Sequence, residues 1–317
     1  MNQVLTGEEA IEARGAWTHA SVSANAARFH YVTQGEGPLL LLLHGFSQYW
    51  WTWREYLGNF ASQGYRVVAL DIRGYGNSDH TPRGYDPYTL SHDIAGVIGS
   101  LGEREATIIG HDVGGLLGFT TAAFHPAKVN GLVALSAPHP LRLRQAWRGR
   151  AQRKANDYVF RYQAPIFPER LLHKERGMFA ETFLRDRSFD GSWVTPEIGE
   201  HFRAAFDTPH TPHCALEFYR WQVRSLLRPD GRRYNEDLTQ KPVTAPVLHL
   251  RGEHDKTILE STFNGSDEYV QGPYAKRVIP FSGFFPHEEE PLQVAEVISQ
   301  WLAAGRTWDD RAPVTSS

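Results

Sequence analysis

The chain has 317 residues, of which 41% are hydrophobic and 22% charged, so it can fold around a sizeable core and is not a disordered tail. Its net charge of −3, from 33 basic and 36 acidic residues, argues against a dedicated nucleic-acid binder, which would carry a strongly basic surface. The longest apolar run, 39–43, is too short to cross a bilayer. A polar N-terminus and a single cysteine, Cys214, predict a cytoplasmic protein without an internal disulfide.

Short apolar runs alternate with segments of helical character along the chain. A β-hairpin is predicted from 17–24 and 28–33, and buried strands are predicted at 39–43, 66–70, 107–110, 129–135, 246–250 and 277–280. Helices are predicted at 50–62, 89–101, 116–124 and 291–303. Short connections between alternating strands and helices indicate a mainly parallel sheet flanked by helices, which is the α/β class.

The strand pattern stops at Pro138 and does not resume until 246. The intervening segment is polar, rich in arginine at first and then helical in character. We therefore predict an α/β core made of residues 1–140 and 241–317, into which a helical cap, residues 141–240, is inserted.

A glycine-rich turn, GHDVGG at 110–115, follows a predicted buried strand and opens a predicted helix. Small residues around one central position have the spacing of a nucleophile elbow, in which glycines permit a strained turn and close packing of helix on strand. The central residue is Asp112, a carboxylate that needs no base to deprotonate it at neutral pH and can attack saturated carbon to form an ester. This chemistry indicates epoxides or alkyl halides as substrates. In the alternative interpretation, Asp112 is only a helix N-cap.

With this turn and the sequence HGFS at 44–47, residues 17–305 resemble the α/β-hydrolase superfamily and, within it, the epoxide hydrolases. HGFS is similar to the family's HGxP turn, with Ser47 in place of proline. The resemblance implies an oxyanion hole formed by the backbone N–H groups of Phe46 and Val113. It also implies that His44 and Trp50 contact the substrate. The loop 71–79 resembles the family's sequence too, and we interpret it as a glycine turn without chemistry.

Ring opening of an epoxide needs a proton or strong hydrogen bonds on its oxygen, and neutral tyrosines can donate them. Two tyrosines of the predicted cap lie in sequences that resemble the family's donor segments: Tyr158 in DYVFRYQAP and Tyr219 in ALEFYR. Tyr162, in the first of these segments, is the reserve candidate and a predicted substrate contact.

The segment RGEHD at 251–255 resembles the position of the family's triad acid, which indicates Asp255, with Glu253 as the alternative. The family's base is a histidine in a Gly-His pair after the last strand, but this chain has Gly283-Phe284 there. A phenyl ring cannot accept a proton from water. His287, three residues further on, is an alternative base. Attack by Asp112 can therefore proceed while hydrolysis of the ester stalls, as in an engineered trapping variant or a pseudoenzyme.

Three functions compete at this point. The first is an epoxide hydrolase acting on a small apolar epoxide with water. The second is a haloalkane dehalogenase, although that family has tryptophan after the nucleophile and this chain has Val113; fluoroacetate dehalogenases have arginine there. The third is a non-catalytic ligand-binding protein on a hydrolase fold. No metal-ligand cluster or nucleotide-binding motif is evident, so no cofactor or metal is expected. We expect no nucleic-acid or membrane partner, and a monomer or homodimer.

Overall fold

A computed structural model describes residues 5–311 as an eight-stranded sheet in the order β1-β2-β4-β3-β5-β6-β7-β8. The pairs β1–β2 and β2–β4 are antiparallel, and all other neighbours are parallel. The strands are β1 (Thr18–Ala24), β2 (Ala27–Gln34), β3 (Leu39–Leu43), β4 (Arg66–Leu70), β5 (Ala106–His111), β6 (Val129–Leu135), β7 (Val247–Gly252) and β8 (Tyr274–Ile279). The predicted α/β class is confirmed.

Helices cover the sheet and fill the segment between β6 and β7, which adds no strand to the sheet within the described residues. They are α1 (Gly7–Ile11), α2 (Arg54–Ala61), α3 (Pro87–Ser100), α4 (Val113–Phe124), α5 (Pro140–Ala146), α6 (Arg150–Ala155), α7 (Asp157–Arg161), α8 (Phe167–His173), α9 (Met178–Arg187), α10 (Pro196–Phe206), α11 (Thr211–Arg224), α12 (Pro229–Gln240), α13 (Glu260–Phe263), α14 (Pro286–Glu289) and α15 (Pro291–Ala303). The division into a core of 1–140 and 241–317 and a cap of 141–240 stays a prediction, and both ends of that core lie outside the described residues. Across residues 5–311, every helix is too short or too polar to span a bilayer.

The centre of the sheet is buried on both faces. All five leucines of β3 and all six residues of β5 are buried, which explains why these strands read as continuous apolar runs instead of alternating ones. Parallel pairing places the C-terminal ends of β3, β5, β6 and β7 at one edge of the sheet. That edge is where polar loops of open α/β sheets form ligand sites.

One predicted helix, at 50–62, differs from the structure. Residues Trp50–Trp53 form a 3-10 turn, and the α-helix begins only at Arg54. The Trp50 N–H donates to the Asp71 carboxylate at 2.8 Å, and Trp53, at ψ 8°, departs from α-helical geometry. A contact from a distant loop therefore fixes the start of this segment.

Candidate active site

The turn between β5 and α4 has the strained geometry of a nucleophile elbow. Asp112 adopts φ 48° and ψ −115°, a region that few non-glycine residues occupy. A Cβ on Gly110 would lie 2.4 Å from the backbone of Gly114, and one on Gly114 would lie 2.2 Å from the Leu43 carbonyl, so only glycine fits either position. Asp112 occupies the N-cap position of α4, but its side chain makes no capping hydrogen bond. The simple N-cap interpretation of this residue is therefore not supported.

The Asp112 carboxylate instead faces hydrogen-bond donors from the turn after β3 and from the helical segment between β6 and β7. Its Oδ2 accepts from the Phe46 N–H at 3.1 Å and from the Tyr219 hydroxyl at 3.4 Å. Burial raises the pKa of Asp112 to about 6, while the N–H groups of Phe46 and Val113, the Tyr219 hydroxyl and the charge of Arg187 lower it. The group is thus mostly ionised at pH 7, without a neighbouring base.

The two predicted tyrosines lie together above the elbow. The rings of Tyr158, on α7, and Tyr219, on α11, are 5.9 Å apart, and both side chains are buried. Burial raises the pKa of each phenol, so both are neutral hydrogen-bond donors at pH 7. Tyr162 packs 5.6 Å from Tyr158 and 6.0 Å from Tyr219, and the Phe46 ring lies 5.0 Å from Tyr219.

Sequence reasoning missed a cation at this site. The Arg187 guanidinium, at the end of α9, lies 4.5 Å from the centroid of the Tyr158 ring and 3.9 Å from that of Phe183. It makes no ion pair with a carboxylate among residues 5–311, and its charge lowers the pKa of both Asp112 and Tyr158. No sequence signal distinguishes Arg187 from the other arginines of this polar segment.

A small cavity of about 20 Å³ adjoins Asp112, and Tyr158 and Tyr219 are part of its wall together with apolar side chains such as Leu116, Val159 and Ile258. A much larger surface cavity, about 920 Å³, lies between α1 and α10 and contains none of the predicted site residues. The smaller cavity is the candidate site because it contains the strained carboxylate. At about 20 Å³ it is smaller than a small epoxide, so side chains of its wall must rearrange to admit a substrate.

Asp255 follows β7 and has one carboxylate oxygen without a partner. Oδ1 accepts from the N–H groups of Thr257 and Ile258 at 2.8 and 2.9 Å, whereas the buried Oδ2 has no hydrogen bond. The Ser136 hydroxyl is near enough to lower the pKa of Asp255, but it is not aligned to donate a hydrogen bond to Oδ2. Burial is the larger effect and raises the pKa of Asp255 to about 7. A buried, partly satisfied carboxylate of this kind is costly to the fold.

Phe284 is fully buried in the loop after β8, and this loop touches the loop of Asp255. The His254 N–H donates to the Ser282 carbonyl at 2.8 Å. The Phe284 N–H donates to the Arg187 carbonyl at 3.0 Å, and the Phe284 carbonyl contacts Nε2 of His111 at 2.7 Å. His111 thus holds this loop against the elbow.

His287 packs on the other residue of the elbow, with its ring 4.3 Å from that of His111. Its Nε2 contacts the Thr52 hydroxyl at 3.0 Å and the Gln48 amide at 3.3 Å, and its ring packs 4.8 Å from Trp53. Burial lowers its pKa well below the usual range of histidine. The structure therefore does not bring His287 to Asp255, and its use as a relocated base has no geometric support.

Two predicted substrate contacts also point away from the cavity. The Trp50 indole donates to the Ile11 carbonyl at 2.8 Å and packs against Trp17 and His19, so it is turned toward the N-terminal segment. The cause is the N-terminal segment, which covers this face. The two ring nitrogens of His44 contact the Gly45 carbonyl at 2.9 Å and the Ile72 N–H at 3.1 Å, so His44 fixes the turn after β3.

Comparisons with known proteins identify the family of this chain. Residues 38–291 match the family model described as "alpha/beta hydrolase fold". The chain is 31% identical to epoxide hydrolase 3 of Xenopus tropicalis over 92% of this chain and 78% of that protein, and 30% identical to epoxide hydrolase 4 of Homo sapiens over 91% and 79%. The crystal structure of a Bacillus megaterium epoxide hydrolase in complex with an inhibitor superposes with a TM-score of 0.78 at 25% identity, covering 90% of this chain and 100% of that one. The chain belongs to the α/β-hydrolase family, within its epoxide hydrolase branch.

Proposed function

We propose that this protein opens small apolar epoxides by attack of Asp112 and holds the product as an ester that it hydrolyses slowly. The observation that carries the proposal is the Asp112 carboxylate, set on a strained turn and hydrogen-bonded through Oδ2 to the Phe46 N–H and the Tyr219 hydroxyl. These donors hold one oxygen of the carboxylate, which leaves the other to attack carbon.

The first step forms a bond between a carboxylate oxygen of Asp112 and an epoxide carbon, and it breaks the bond from that carbon to the ring oxygen. The ring oxygen takes a proton or hydrogen bonds from Tyr158 and Tyr219. Both phenols are buried and neutral, so they can donate as negative charge develops. The Arg187 guanidinium beside the Tyr158 ring favours the tyrosinate that forms if the proton is transferred.

The second step needs water activated by a base and an oxyanion hole for the tetrahedral intermediate. The Phe46 and Val113 N–H groups suit the hole. The base is what this chain lacks, because Phe284 occupies the position where the resemblance implies histidine. The unpartnered Oδ2 of Asp255 supports this, since it is the oxygen that an imidazole would bind. Release of a vicinal diol is therefore the slow step.

A burst assay tests the proposal. Epoxide consumption by the purified chain is followed by chromatography with styrene oxide in excess. We expect a burst of about one equivalent per chain followed by very slow consumption, and no burst from Asp112→Asn. An undiminished burst from Asp112→Asn would refute Asp112 as nucleophile, whereas continuous diol release would refute only the stalled second step.

A further inference from the structure

Three side chains outside the active site converge where the N-terminal segment meets the first hairpin. Glu12 lies just after α1, His19 is in β1, and His30 is in β2. His30 pairs with Ser21, two residues along from His19, so both histidines lie on one face of the hairpin. Nδ1 of His19 is 3.1 Å from Nε2 of His30 and 3.5 Å from a carboxylate oxygen of Glu12.

The outer nitrogen of each histidine has a partner that can only accept a hydrogen bond. Nδ1 of His30 is 2.7 Å from the buried Asp71 carboxylate, and Nε2 of His19 is 3.0 Å from the Ala13 carbonyl. In the neutral rings, both outer nitrogens therefore carry the hydrogen, and both inner nitrogens present lone pairs. Two lone pairs facing each other at 3.1 Å, beside a carboxylate, repel unless a cation lies among them.

We propose that Glu12, His19 and His30 bind one divalent first-row transition metal ion, of which zinc is the example. Two imidazoles and one carboxylate are a known ligand set for zinc, and zinc–ligand distances of about 2.0–2.1 Å place tetrahedral ligand atoms about 3.3 Å apart. The observed separations of 3.1 and 3.5 Å lie on either side of that value. The three ligand atoms lie within 4.8 Å of one another, and the Glu12 side chain, 45% exposed, can turn to complete the set.

The surroundings match those of a metal site. The pair of His30 and Asp71 is the carboxylate–histidine arrangement that orients a metal-binding imidazole and raises its basicity. The same Asp71 carboxylate accepts from the Trp50 N–H at 2.8 Å, at the turn that follows the HGFS sequence. An ion here would join the N-terminal segment, the hairpin and that turn, and three protein ligands would leave its fourth position to water. The Asp112 ester chemistry does not depend on it.

Zinc titration of the full chain tests the site after treatment with a chelator. We expect one zinc ion per chain, a melting temperature that rises until one equivalent is bound, and anomalous scattering at the zinc edge between His19 and His30 in a crystal. His19→Gln suits the test because His19 is part-exposed, and it should weaken binding by more than the roughly 10–100-fold typical of losing an outer-shell partner.

The matched control is His213→Gln, which removes a histidine that contacts a single carboxylate, Glu169, at 3.4 Å. It should bind zinc as the unaltered chain does. Equal loss of zinc in both variants, or no binding at one equivalent, would overturn the proposal. A zinc-soaked crystal with no ion between His19 and His30 would also overturn it and would leave a shared proton as the link between the rings.

Discussion

Replacing Phe284 by histidine should convert a single burst into steady hydrolysis. Losing a general base typically costs about 10²–10⁴-fold in rate, so Phe284→His should speed ester hydrolysis by that factor. The loops of Asp255 and Phe284 are hydrogen-bonded to each other, and Oδ2 of Asp255 has no hydrogen-bond partner, so we expect an imidazole at 284 to bind that oxygen. Loss of the buried phenyl ring lowers the free energy of unfolding by roughly 1.5–3 kcal/mol. A hydrogen bond from the new imidazole to the Asp255 carboxylate raises it by about 1.5–3 kcal/mol. The free energy of unfolding should therefore change little.

The assay is diol release over many turnovers, measured with thermal melting of the same samples. Phe285→His is the matched control, because it places an imidazole one residue further on, at an equally buried position that packs against Phe183 and Trp193. It should not restore turnover. A folded Phe284→His protein that releases diol no faster than the unaltered chain would refute our interpretation of position 284.

Three further results are expected. Tyr219→Phe should slow adduct formation on the order of 10²-fold, as loss of an oxyanion donor does. The control Tyr234→Phe removes a buried hydroxyl bonded to Thr120 and should leave the rate of adduct formation unchanged. Equal rates for both variants would contradict the role of Tyr219. The rate of adduct formation should fall as pH drops through about 6, because protonation of Asp112 removes the nucleophile, and a flat profile between pH 5 and 8 would show that another group attacks. Asp255→Asn should raise the melting temperature more at pH 8 than at pH 5. The pKa of Asp255 is about 7 in the folded chain and about 4 in the unfolded chain, so this residue does not lower the free energy of unfolding below pH 4. As pH rises from about 4 to about 7, ionisation of the unfolded chain lowers the free energy of unfolding by on the order of 4 kcal/mol. An equal shift in melting temperature at both pH values would contradict that burial cost.

The sequence predicts the sheet and the nucleophile well, because both depend on local patterns. Five consecutive leucines between turn residues favour a strand buried on both faces, and the glycines around Asp112 favour a tight turn. The sequences around Tyr158 and Tyr219 were sufficient to choose two tyrosines that the fold places beside each other.

Side-chain direction and contacts between distant segments could not be predicted from local sequence patterns. The position of Trp50 in the turn after HGFS was evident from the sequence, but the direction of its indole depends on the N-terminal segment, whose Ile11 carbonyl it binds. Arg187 reaches the active site only because α9 ends beside the loop of Phe284. His19 and His30 are eleven positions apart in sequence, and hairpin register brings their nitrogens to 3.1 Å. The Asp71 carboxylate contacts both the His30 ring and the Trp50 N–H, and the sequence of its loop did not predict these contacts.

Peptide mapping by mass spectrometry after exposure to styrene oxide tests the central claim most directly. Our account predicts that the intact chain gains the mass of one epoxide, that the added mass lies on the peptide containing Asp112, and that it persists for hours in buffer at pH 7. An unmodified chain that releases diol throughout the incubation, or an adduct on any other residue, would contradict it.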